Sequence, residues 1–187
     1  MHPIRGYTLT ELLCSLGILT LLASLALPTF SRVLRSTQST TAINTFVSVY
    51  QLARSTAINN RAVVVMCPTT DTKRCSGDWL TGAMAFTDPN NNRQLDDDEH
   101  LLVTMDVPVQ GSQIKMAAAL NKHYLRFMDN GMLENTAGSI VYCPPNGKDT
   151  DARVIIFTRN GRLRFGTDKN KDGISEDAAG TNLHCPL

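Results

Sequence analysis

At 187 residues, with 42% hydrophobic and 19% charged side chains, the chain has a globular composition with room for one core, which excludes a disordered or fibrous protein. Its 18 Lys+Arg against 17 Asp+Glu leave a net charge of +1, which excludes a chain coated in positive charge. Any contact with a polyanion therefore has to come from a local patch.

From the amino terminus, a short leader ending in Arg5-Gly6 precedes Tyr7, then Glu11, then an apolar run from Leu12 to Leu27 closed by Pro28. Read as a conventional secretory signal, the run would be removed at a small-x-small site such as Ser24-Leu25-Ala26. That reading leaves Glu11 unexplained, because a carboxylate inside an inserted apolar helix costs about 3 kcal/mol and calls for a compensating partner. No basic residue follows before Arg32. Cleavage after Gly6 would instead place a new amine on Tyr7, one helical turn from Glu11 of its own or a neighbouring subunit, and would retain the apolar run.

A basic residue, Gly, an aromatic, then TLTELL with Glu four residues after the aromatic, resembles the class III leader of type IV pilins and type II secretion pseudopilins. Tyr7 stands where Phe is commoner, and Pro28 where pilins often carry a helix-kinking proline. The resemblance implies processing at Gly6 and Tyr7 by a prepilin peptidase, methylation of the new terminus, and assembly with other major and minor pilins through Glu11. It also implies a single-pass inner-membrane helix with a periplasmic head, built into a pilus or pseudopilus.

From Ser31 to Ile58, Val33, Leu34, Ile43, Phe46, Val47, Tyr50, Leu52, Ala53 and Ala57 recur at roughly helical spacing among polar residues, which predicts an amphipathic continuation of the apolar helix. The combined helix of about 50 residues would span roughly 75 Å, longer than a compact domain can bury. Its first half must then find a bilayer or other helices. After Asn59-Asn60 the pattern changes to short β-branched or aromatic runs, at 62–67, 82–88, 100–107, 123–128, 139–143 and 153–165, which predict strands. The expected fold is α+β, the type IV pilin fold: a long amino-terminal α-helix packed on an antiparallel β-sheet domain. Its parts are a leader at 1–6, a membrane and assembly helix at 7–30, an amphipathic half at 31–60, and a β-rich head at 61–187.

Of five cysteines, Cys14 lies in the apolar run and reads as a packing residue, leaving Cys67, Cys75, Cys143 and Cys185. Their spacing does not fit a zinc knuckle or finger, so two disulfides and an oxidising compartment are expected. Four cysteines allow three connectivities. Pairing of Cys67 with Cys75 and of Cys143 with Cys185 is the simplest.

The segment RVIIFTRNGRLRF (153–165) carries Asn-Gly between two strand-like runs, which predicts a hairpin with a type I′ turn. With Asn160-Gly161 central, Arg159 would face Arg162, with Arg164 and Arg153 on the same side and Val154, Ile156, Leu163 and Phe165 on the other. A solvated outer face explains such arginines in an arbitrary hairpin. Like charges directly opposed are nevertheless unfavourable, and Arg suits phosphate through bidentate bonding. The pattern Gly161-Arg162-Leu163-Arg164 resembles that of FimT-type minor pilins within the GspH/FimT family, and the disulfide-like loop before GDWLTGAMAFTDPNNN, the acidic LDDDE and the final cysteine resemble the wider family. That resemblance implies DNA binding through Arg159, Gly161, Arg162 and Arg164 for uptake in natural transformation. The alternative is a structural minor pilin or GspH-like type II secretion pseudopilin that primes filament assembly without DNA.

Two segments match calcium-loop spacing. DKNKDGISED places Asp168, Asn170, Asp172, Gly173 and Glu176 at ligand and turn positions but has Ala179 where a bidentate Glu belongs. DPNNNRQLDDDE supplies Asp88, Asn90, Asn92, Asp96 and Glu99 but has Arg93 where the sharp turn favours Gly. The 168–176 segment reads first as an ordinary polar turn, so no cofactor is expected, with calcium bound there as the alternative. His2, His100, His123 and His184 are scattered without a nucleophile or metal-ligand spacing, and no enzymatic activity is expected.

Overall fold

A computed structural model describes residues 8–106, 109–119, 123–134 and 137–185, apart from the side chains at 25, 27–29 and 32. Arg5, Gly6, Tyr7 and the side chain of Pro28 lie outside the described residues.

Helix α1, Leu9–Asn60, begins with a capping box. The Glu11 N–H donates to Thr8 Oγ1 at 3.3 Å, and the Thr8 N–H donates to Glu11 Oε2 at 3.2 Å, satisfying two donors that a helix start otherwise leaves bare. Glu11 thus has a local role that the sequence reading did not assign. The helix ends where Arg61 turns left-handed at φ 49°.

Two environments divide this helix. Leu9, Leu12, Leu13, Leu16, Ile18, Leu19, Leu21 and Leu22 are all at least half exposed, and the exposure continues through Phe30 and Val33. Head contacts begin at Arg35, whose Nε lies 3.3 Å from Asp151 Oδ2, and at buried Ser39, whose hydroxyl donates to Asp151 O at 2.8 Å. Beyond them Ile43, Phe46, Val49, Tyr50, Ala53 and Ala57 form the buried stripe. Val33, Leu34 and Leu52, expected on that stripe, are exposed. Among the described residues no helix is long and apolar enough to cross a membrane.

The head contains two four-stranded antiparallel sheets rather than one. The first has the order β3 (Leu101–Met105), β2 (Ala83–Thr87), β1 (Val64–Pro68), β5 (Leu125–Phe127). The second has the order β4 (Gln113–Ala118), β6 (Gly138–Cys143), β7 (Arg153–Phe157), β8 (Leu163–Phe165). Strand β4 was not foreseen. Gln, Lys, Met and Ala are weak strand formers, and pairing with β6, Ile114 opposite Tyr142 and Met116 opposite Ile140, makes the strand.

The central strands of both sheets are covered on both faces. Val64, Met66, Ala85, Leu125 and Phe127 of one, with Ile140, Tyr142, Ile155 and Phe157 of the other, pack against the helix stripe. Tyr50 meets Phe127 edge-on at 4.8 Å, and Phe46 meets Trp79 at 5.6 Å. On the outer faces, Val65, Cys67, Met84 and Phe86 lie under Cys75, Leu95 and Tyr124, whereas Val141, Cys143, Val154 and Ile156 lie under Ile174, Leu183 and Cys185. Two-sided burial explains why β1 and β7 read as continuous apolar runs instead of alternating ones.

Candidate nucleic-acid interface and acidic loops

The hairpin between β7 and β8 departs from its expected register. The Thr158 N–H donates to Arg162 O at 3.0 Å and the Gly161 N–H to Thr158 O at 2.9 Å. Gly161 has φ +71° and Asn160 is not in the left-handed region. The connection is therefore the three residues Arg159–Gly161, a type I turn closed by a glycine bulge, and not a two-residue type I′ turn. Pairing follows as Phe157 with Leu163, Ile156 with Arg164 and Ile155 with Phe165.

One residue more in the loop moves side chains to the other face. Leu163 and Phe165 join Ile155 and Phe157 on the helix side. Arg164, with Arg162 two residues before it, shares the outer face with Ile156. Arg153 leaves the cluster: it is opposite Tyr142, and its guanidinium donates to the Thr150 and Ala152 carbonyls at 3.0 and 2.8 Å. Arg159 sits in the loop itself, so it does not oppose Arg162. What remains together at the tip is Arg159, Arg162 and Arg164, all exposed, with no ion pair to a described acidic side chain.

The tip is fastened by a residue that the sequence reading passed over. Arg54, on α1, donates from Nε to Gly131 O at 3.0 Å and from Nη2 to Asn160 O at 3.5 Å. Arg159 O also accepts the Leu133 N–H at 2.8 Å. Gly161 is buried between these groups. A Cβ there would collide with the Gly131 carbonyl oxygen and lie 2.6 Å from Arg54 Nε. The first residue of the Gly-Arg-x-Arg motif is thus required by packing and backbone conformation, while its two arginines point into solvent. No signal in the strand pattern marks Arg54; only its place on the helix, level with the tip, explains it.

The two outer covers are built alike. Cys67 is bonded to Cys75, with Cα atoms 5.5 Å apart, and Cys143 to Cys185, at 6.0 Å. Cys14 is a free, exposed cysteine on the helix. Beside each disulfide is an acidic loop closed by its own first Asp. Asp168 accepts from the N–H groups of Lys171, Asp172 and Gly173 at 2.7, 3.2 and 2.8 Å. Asp88, fully buried, accepts from those of Asn92 and Arg93 at 3.1 and 3.2 Å. In the 168–176 loop, Asp172 Oδ2 accepts from the Asn170 and Asn182 amides at 2.8 and 2.5 Å, and the Ile174 N–H first, then these amides, hold its pKa below the usual carboxylate range. Glu176, buried, pairs with Lys169 at 3.5 Å. Among the described residues no three His, Cys, Asp or Glu side chains already converge on one point as a metal cage. His184 Nδ1 lies 2.9 Å from Asp149 Oδ2 and helps to hold the carboxyl-terminal segment.

The segment from Ala42 to Gly161, comprising the packed half of α1 and the strands through β7, matches the family model described as Type II transport protein GspH. The chain belongs to the GspH family. Its GspH-like fold is also that of two solved pilin-type structures. The minor pilin FimU of Pseudomonas aeruginosa PAO1 is matched at 21% identity and TM-score 0.51, over 70% of this chain and 90% of that one. The minor pseudopilin EpsH of the Vibrio cholerae Type 2 Secretion System is matched at 12% identity and TM-score 0.50, over 68% and 95%. Both confirm the type IV pilin fold, a long helix packed on antiparallel sheets. Among curated proteins the chain has no significant match. The family match stops at Gly161, so Arg162 and Arg164 lie beyond what the GspH model describes.

Proposed function

We propose that this GspH-family chain is a minor pilin whose exposed arginines at the β7–β8 tip contact DNA during uptake in natural transformation. In this reading a prepilin peptidase cuts after Gly6, the apolar residues from Leu12 to Leu27 hold the chain in the inner membrane, and the same stalk then enters a filament with other pilins. The reading rests on the ring of exposed apolar side chains along the first half of α1, which has no cover from the head.

The observation that carries the DNA contact is the solvent-exposed set Arg159, Arg162 and Arg164 without an acidic partner among the described residues. Its location favours the same reading. Arg54, which clamps the tip, lies about 65 Å along the helix from Glu11 at 1.5 Å per residue, so the arginines sit well away from the stalk. Three arginines can neutralise about three phosphates, giving a log-log salt slope of about −2.7 on duplex and about −2 on single-stranded DNA. Such binding is weak and nearly sequence-independent, as needed by a filament that takes hold of arbitrary DNA.

The test is a gel shift with detergent-solubilised protein at low salt, wild type against Arg162→Gln/Arg164→Gln. The double variant should lose the shift while keeping its unfolding midpoint. Equal affinity would remove the tip as a DNA site and favour the second reading, a structural subunit that primes a pilus or a type II secretion pseudopilus, to which the GspH match and the EpsH-like fold lend support.

A further inference from the structure

The connection from β2 to β3, Asp88 to Glu99, contains a carboxylate oxygen that the fold leaves without a partner. Glu99 is only 9% exposed. Its Oε2 accepts the Asp96 N–H at 3.2 Å, but its Oε1 is buried without any hydrogen-bond donor. A buried acceptor left unmatched is destabilising, and more so when charged. Around it are acids rather than bases: Asp88, Asp96 and Asp98 all lie near enough to repel its charge. The nearby arginine is engaged elsewhere, Arg93 lying over the Tyr124 ring at 5.1 Å.

We infer that the loop Asp88–Glu99 is a calcium site, with Asp88, Asn90, Asn92, Asp96 and Glu99 as its side-chain ligands. These residues fill positions 1, 3, 5, 9 and 12 of a twelve-residue calcium loop, in which position 12 supplies a two-oxygen carboxylate. Glu99 is that residue, and its unmatched oxygen is the second donor. The departure at position 6 loses its force in the structure, because Arg93 adopts the left-handed conformation, φ 60°, that Gly is usually needed to reach. Asn90 and Asn92 now donate their amides to Asp96 Oδ2 at 2.9 and 2.7 Å. A cation would replace these donors, with the amide groups turning their oxygens inward, so a closed metal cage is not expected before the ion arrives. The loop at 168–179 shares the first half of this design but has Ala179 at position 12, and its Glu176 is already paired with Lys169. Calcium belongs to the former loop.

The site has a structural use. Leu95 N–H donates to Lys73 O at 2.6 Å and Cys75 N–H to Arg93 O at 3.0 Å, so an ion in this loop would lock the Cys67–Cys75 cover onto the outer face of the first sheet.

Thermal unfolding of the full chain in detergent, with calcium chloride, magnesium chloride or chelator, tests the proposal. Loops of extracellular modules bind calcium at about 10⁻⁴–10⁻³ M. At about 10 mM calcium the unfolding constant should then fall about 10- to 100-fold, with a smaller effect of magnesium. Glu99→Gln should abolish the calcium response while leaving the metal-free protein as stable as wild type or more so, because it removes a buried charge among like charges. Asp168→Asn should retain the response. No calcium-dependent shift in wild type, a shift preserved in Glu99→Gln, or one lost only in Asp168→Asn would each overturn the assignment.

Discussion

Replacing Gly161 with Ala isolates what the glycine of the arginine motif does. At φ +71° an alanine costs about 1 kcal/mol, because its Cβ crowds the following carbonyl. About half of that is recovered through the lower entropy of the unfolded chain. The larger effect is steric. The new methyl meets the Gly131 carbonyl oxygen, a backbone group that cannot step aside, and lies 2.6 Å from Arg54 Nε. Dislodging Arg54 forfeits the 3.0 Å charge-assisted bond to Gly131 O, worth about 1.5–3 kcal/mol. The expected loss is about 2–4 kcal/mol, against about 0.5 kcal/mol or less for an ordinary surface substitution. Urea unfolding of the detergent-solubilised chain should show a lower midpoint at unchanged slope. In a double-mutant cycle, Gly161→Ala should cost markedly less in an Arg54→Ala background, since the two changes break one contact. A cost below about 0.5 kcal/mol, or strict additivity with Arg54→Ala, would refute this account of the tip.

Removing the Cys143–Cys185 bond by paired Ser substitution releases a separation of 42 residues and should cost about 4 kcal/mol, against about 2.5 kcal/mol for Cys67–Cys75 with its separation of 8, both read from denaturant midpoints. Equal losses would show that loop length does not govern these bridges. Acid should loosen the carboxyl-terminal segment. The Cys185 N–H at 2.7 Å, and then His184, hold the Asp149 carboxyl below its ordinary range, so its contribution is present above that range and is lost as pH falls through the depressed value. The difference in unfolding midpoint between wild type and Asp149→Asn should therefore be present near pH 6 and shrink progressively as pH falls below the ordinary carboxylate range; a difference independent of pH would contradict the latch.

The helix, the β-rich head and six strand regions were legible because each follows from local chemistry: a 3.6-residue apolar stripe, β-branched runs and turn residues between them. What was not legible depends on partners distant in sequence. Strand β4 carries the alternation Ile114, Met116, Ala118, but among weak strand formers that pattern becomes a strand only beside β6. The division into two sheets likewise reflects how strands pair, which no single segment encodes. At the hairpin the Asn-Gly pair was read as the whole turn. Thr158-Arg159-Asn160-Gly161, with Gly at the fourth position, equally fits a type I turn with a bulge, and the Arg159 O bond to Leu133 N and the Arg54 clamp belong to that form.

The Gly-Arg-x-Arg motif thus combines two kinds of requirement. Gly161 is demanded by the left-handed backbone and by the approach of Gly131 and Arg54, so any pilin head with this tip needs it whether or not it meets DNA. Arg162 and Arg164 lie on the outer face, where neither the turn nor the core calls for arginine, and placing them beside Arg159 concentrates like charge at one tip. An anion would ease their repulsion, so the proposed DNA contact rests on the arginines rather than on the glycine. The Gly161→Ala variant should therefore weaken the fold first and DNA contact only as a consequence, whereas Arg162→Gln/Arg164→Gln should weaken DNA contact without touching the fold.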